Sequence, residues 1–107
     1  MKPVLILTQL PSQEQALALA TTLITSHLAA CVHIFPKGQS VYLWEGELQI
    51  SEEYHVQIKT TQRSFPGVSS AIKLHCEYEV PEILLFFLED GDKDYLHWLC
   101  KQSNAGE

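Results

Sequence analysis

From Glu47 to Thr60 the chain alternates with a period of two, placing Tyr54, Val56 and Ile58 on one side and Glu53, His55, Gln57 and Lys59 on the other. This is the pattern of a β-strand with one buried and one wet face, and it does not suit a helix, whose apolar positions recur at wider spacing. A strand this long outruns a small core, so it needs a partner along its whole length. The residues just before it supply one: Ser40 to Trp44 is extended, and Glu45-Gly46 is a tight-turn signal between the two runs. Together they make one long hairpin, preceded by a further strand from Ala30 to Phe35 and the break Pro36-Lys37-Gly38.

The rest of the chain supplies the elements that pack on this hairpin. Val4 to Thr8 is a short apolar strand ended by Gln9-Leu10-Pro11, and Ser12 with Gln15 makes a capping box for a helix. Ala16, Ala20, Leu23, Ile24 and His27 form that helix's inner face through about Leu28. Ser64 caps a second helix, with Pro66 in its first turn, that runs to about His75. Ile83 to Leu88 is the last strand, and Asp92 to about Ser103 is a terminal helix with Leu96 and Leu99 or Cys100 inward. Asn104-Ala105-Gly106-Glu107 reads as a disordered tail. The order predicts an α+β fold, a ferredoxin-like βαββαβ with an antiparallel sheet and a C-terminal helix, in one domain spanning residues 1–107.

Two strands break the one-face rule. Val4-Leu5-Ile6-Leu7 and Ile83-Leu84-Leu85-Phe86-Phe87-Leu88 are apolar on both sides, and in this topology they are expected to pair near the sheet centre. The terminal helix covers part of the second face on this reading, and a neighbouring subunit is the better account of the rest, because a bare patch of Leu and Phe invites aggregation. The unpaired edge of a long hairpin points the same way, with Tyr42 and Trp44 as the interface residues near its tip.

Composition excludes some functions. Seven basic against thirteen acidic residues give a net charge of −6, with no basic cluster, so the field repels phosphate backbones and favours cations over nucleic acid. No apolar run is long enough to span a bilayer, and no membrane partner is expected. Met1-Lys2-Pro3 leads straight into the first strand without a signal peptide's pattern. Cys31, Cys76 and Cys100 are an odd number without CxxC spacing, which predicts free thiols in a reducing compartment and a cytoplasmic location.

Several side chains are metal-ligand types. Cys31 and His33 project on one face of a strand, although Cys31 also reads as a small core residue. His75-Cys76-Glu77 and Glu79 gather before Pro81, where the alternative is a solvated polar turn; His97 and Cys100 stand one helical turn apart, as residues on any helix flank can. None matches a structural zinc signature. No Gly-rich phosphate loop or nucleophile motif is present, so no catalytic residue and no enzyme activity are expected.

Five segments resemble the CutA divalent-cation tolerance family: Leu28-Ala29-Ala30-Cys31-Val32, Tyr42-Leu43-Trp44-Glu45-Gly46-Glu47-Leu48, Glu53-Tyr54 through Ile58-Lys59-Thr60, Tyr78-Glu79-Val80-Pro81-Glu82-Ile83 and Tyr95-Leu96-His97-Trp98-Leu99. The resemblance implies a homotrimer akin to the PII signalling proteins, linked to tolerance of copper and other divalent cations, with no established reaction and no required cofactor. Where the family usually carries His-Pro-Tyr, this chain has Cys76-Glu77-Tyr78 with His75 one position earlier. The metal candidates are therefore Cys31, His75 and Cys76, a thiol being a good soft-metal ligand. Lys59, Tyr78 and Glu82 resemble family positions near a subunit cleft, where they would orient a small anion or metabolite; a structural salt bridge is their other reading. Three functions stay open: a metal-binding tolerance protein, a PII-like small-ligand sensor, and a structural trimer that scaffolds a partner.

Overall fold

The computed structural model describes residues 1–104. Its elements in chain order are β1 (Pro3–Leu10), α1 (Gln13–Thr25), β2 (Cys31–Ile34), β3 (Gly38–Trp44), β4 (Glu47–Thr61), a 3₁₀ turn (Gln62–Ser64), α2 (Phe65–His75), β5 (Leu84–Phe87) and α3 (Lys93–Gln102). All strand pairs are antiparallel, in the order β2-β4-β1-β5, with β3 added to β4. This is the expected α+β architecture.

β4 organises the sheet. Its C-terminal half lies between β1, with Val56 opposite Thr8 and Ile58 opposite Ile6, and β2, with Val32 opposite Ile58. Its N-terminal half pairs only with β3, from Glu53 opposite Gly38 to Glu47 opposite Trp44. Ile34 faces Val56 while Gly38 faces Glu53, so the three residues 35–37 oppose the two residues 54 and 55. That is a bulge, and it places Pro36 where no ladder hydrogen bond is needed. β2 and β3 are thus one interrupted strand, and the hairpin gives the molecule its extents of 45 × 25 × 23 Å. At its tip Glu45 (φ 52°) and Gly46 (φ 81°) are both left-handed, the conformation a two-residue turn needs to match the strand twist.

The helices cover the face carrying Val4, Ile6, Thr8 and Leu10 of β1, all fully buried, together with Val56 and Ile58. Leu19 and Leu23 of α1 and Val68 and Ile72 of α2 complete this core. α3 lies elsewhere. It contacts β4 and β1, Leu99 is its buried residue, and Lys59 Nζ donates to Tyr95 Oη at 3.2 Å, so α3 covers the Lys59 end of the second sheet face.

Four local expectations are corrected. Pro11 does not shorten β1, which keeps pairing through Leu10 opposite Tyr54. α1 ends at Thr25 instead of Leu28, because Thr25 and Ser26 hydroxyls bond back to the carbonyls of Thr21 and Thr22 and His27 turns left-handed at φ 61°. Leu28 N–H then closes on the Leu23 carbonyl and His27 N–H on that of Ile24, a Schellman cap that leaves His27 exposed and not in the core. Ser64 does not cap α2 with its side chain, because the 3₁₀ turn already holds it in helical conformation and feeds straight into the helix. Finally, β1 and β5 do pair, but β5 is an edge strand with Leu84 and Phe86 on the second face, 48% and 51% exposed. Ser12 behaves as expected, accepting from Gln15 N–H at 3.1 Å. Residues 105–107 of the expected tail lie outside those described.

Candidate functional site

An open cleft of about 510 Å³ lies between the hairpin and the segment that leads into β5. Because opposite residues of an antiparallel pair share a face, Ser40, Tyr42 and Trp44 of β3 project together with Gln49 and Glu53 of β4. Gln9 closes the end nearest the core, and Tyr78, Glu79, Val80 and Glu82 form the opposite wall. Tyr42 is fixed by a 2.9 Å hydrogen bond between its hydroxyl and that of Ser51.

Glu53 is the cleft's deepest charge, only 7% exposed. Alternation put it on the polar side of β4, and it is on that side; what buries it is the 78–82 segment folding over it. The Tyr78 hydroxyl donates to its carboxylate, and burial together with that carboxylate raises the Tyr78 pKa well above its ordinary value of 10.0. The folded-state pKa is raised, so this contribution to stability is complete below pH 10 and is lost as the pH climbs beyond it. Tyr78→Phe should cost about 1–3 kcal/mol at neutral pH by leaving a buried carboxylate without its donor. Urea melts at pH 8 and pH 11 should show the gap between wild type and variant closing at the higher pH.

The sequence-derived candidates separate in space. Tyr78 and Glu82 line the cleft, but Lys59 does not; it sits level with Leu5, four residues along β1 from Gln9, bound to Tyr95. Cys31 faces Lys59 on the second face of the sheet, half-buried. Cys76 belongs to the core under the helices, with its Sγ 3.9 Å from the Gln9 carbonyl, and burial pushes its thiol pKa up. His75 points away, its Nδ1 donating to the Ala71 carbonyl at 2.9 Å and its Nε2 lying 3.4 Å from Thr22 Oγ1. His33 stacks edge-on against Phe35, which meets His55, and Gln9 Nε2 donates to His55 Nδ1 at 2.7 Å. Trp44 and Tyr42, expected at an interface, are partly exposed on the hairpin and line the cleft.

Among the described residues no three His, Cys, Asp or Glu side chains converge on a metal-sized site. Cys31 on one face of the sheet and Cys76 on the other cannot share an ion within one chain, and Cys76 is held as a protonated thiol. Among the described residues the candidates Cys31, His75 and Cys76 are therefore not brought to one point within a single chain. The groups missed from the sequence are Gln9, Gln49 and Glu53, which only the hairpin register and the 78–82 segment bring together.

The model of the CutA1 divalent ion tolerance protein family matches residues 4–102. The chain belongs to this family. A CutA divalent-cation tolerance protein from Thermus thermophilus is 38% identical over 101 residues, covering 94% of this chain and 96% of that one. The crystal structure of CutA1 from Oryza sativa superposes with a TM-score of 0.93 at 33% identity, over 97% of this chain and 95% of that one. The structure of the CutA from Archaeoglobus fulgidus, called periplasmic, gives a TM-score of 0.91 at 31% identity over 95% and 99% of the two chains. The CutA fold thus accounts for nearly the whole chain, including the protruding hairpin.

Proposed function

We propose that the chain acts in divalent-cation tolerance, copper among the cations, as a cytoplasmic homotrimer that catalyses no reaction, with its cleft completed where the hairpin of one subunit meets the next. The observation that carries this reading is the hairpin's other face. Val41, Leu43, Leu48 and Ile50 form two directly opposed apolar pairs, each residue 63–71% exposed, beyond the reach of the chain's own core. Apolar residues held on a flat exposed ribbon need cover, and the exposed Leu84 and Phe86 of edge strand β5 need it as well. Assembly supplies that cover. It would also let the half-buried Cys31 of one chain meet donors of another, whereas Cys76 stays enclosed in its own core. The free thiols of Cys31, Cys76 and Cys100 support a reducing compartment.

The cleft favours a second reading, a PII-like sensor of a small ligand, because aromatic walls and a buried carboxylate suit an organic molecule as well as an ion. Thermal melts separate the two. Zinc or copper(II) raising the melting temperature while nucleotides and small metabolites do not is the expected result; the opposite pattern would transfer the function to the sensor. A chain that answers to neither would act as a structural trimer for a protein partner.

A further inference from the structure

A second, smaller hollow of about 240 Å³ lies between the start of β1 and the last turns of α3, lined by Met1, His97, Cys100, Lys101 and Asn104. We propose that it is a site for a soft monovalent cation, Cu(I), held by the Met1 thioether, the His97 imidazole and the Cys100 thiolate. His97 and Cys100 stand three apart on α3, so their side chains are neighbours on one helix face, with Cβ atoms about 5–6 Å apart. Met1 brings a third donor from a different part of the chain to the same hollow.

The chemistry of the set selects the ion. Thioether and thiolate are soft ligands that suit Cu(I), and imidazole joins them readily. Among the described residues no carboxylate lines the hollow, so they do not supply the oxygen donors that calcium and magnesium require. Binding displaces one proton from the Cys100 thiol, and the resulting thiolate cancels the single charge of the ion. The carbonyl end of α3 offers the cation a partial negative charge. Cys100 is half-buried at an opening, unlike Cys76, whose thiol is enclosed and harder to ionise. All three donors belong to one chain, so this site is independent of the trimer proposed above and survives if that proposal fails.

The chain has one methionine, so labelling its methyl group with ¹³C gives a single resonance that reports on this site alone. The measurement uses the full chain as it stands, under anaerobic conditions. Ag(I), a closed-shell mimic of Cu(I), should shift that resonance and saturate at one ion per chain. Competition with a Cu(I) chelator should show Cys100→Ser weakened by about 100-fold, at least the upper loss seen when an outer partner of a metal ligand is removed. His97→Ala should also weaken binding, and Cys31→Ser should bind as wild type does. A Met1 methyl that stays in place at saturation, or a Cys100→Ser variant that retains wild-type affinity, would overturn the proposal, and a loss confined to Cys31→Ser would move the soft site to the sheet.

Discussion

Val56→Pro should abolish folding, not merely loosen the assembly. Val56 is fully buried and lies between two partners, opposite Thr8 on β1 and Ile34 on β2. Proline there removes a ladder donor and forces its ring into a strand paired on both sides, where proline is tolerated only at edges and bulges. In a helix interior the equivalent change costs about 3 kcal/mol or more. Truncating the valine's packing adds to it, against a total stability of roughly 5–15 kcal/mol for a domain of this kind. Far-UV circular dichroism should show no cooperative melt. A folded Val56→Pro chain with the wild-type melting temperature would mean that β4 is not the centre of the sheet.

The protruding half of the same strand should behave in the opposite way. Leu43 and Leu48 are directly opposed at the exposed end of the hairpin, so Leu43→Lys with Leu48→Glu replaces an apolar cross-strand pair by an oppositely charged one that still favours the hairpin. In the isolated chain both positions are open to solvent, and such changes alter stability by only about 0.5 kcal/mol. In the proposed trimer the same positions would be covered. Losing two buried leucines per interface removes about 3–6 kcal/mol, which is roughly two to four orders of magnitude in the dissociation constant. Sedimentation should therefore show folded single chains at concentrations where the wild type remains associated. An undisturbed assembly would place the interface elsewhere.

These contrasting outcomes along one strand mark what the sequence can and cannot convey. Alternation from Glu47 to Thr60 reveals which side each residue of β4 takes, and the structure keeps every one of those assignments. It does not reveal depth. Glu53 looks like its neighbours His55 and Gln57, yet it is buried because a segment some 25 residues later folds across it; that contact leaves no local trace. Lys59 resembles a family position near a subunit cleft; within one chain it stands apart from the hairpin cleft and donates to Tyr95, a contact set by the docking of α3 that the strand pattern does not reveal. The doubly apolar β5 was legible as needing cover, but periodicity could not distinguish an edge that meets a neighbour from a strand at the sheet centre. His27 followed the helical spacing of α1 and fell outside it because hydroxyl groups compete for the last carbonyls, an effect of side-chain chemistry that hydrophobic pattern does not register.

Native mass spectrometry of the Cys100→Ser chain in zinc-containing buffer tests the central claim most directly, since subunit number and bound ions are read from the same species and the proposed soft site on α3 is silenced. The account predicts a dominant species of three times the 12.1 kDa chain mass, with zinc carried by that species and not by dissociated single chains. A monomer as the main species, or zinc bound to single chains as readily as to the assembly, would contradict it.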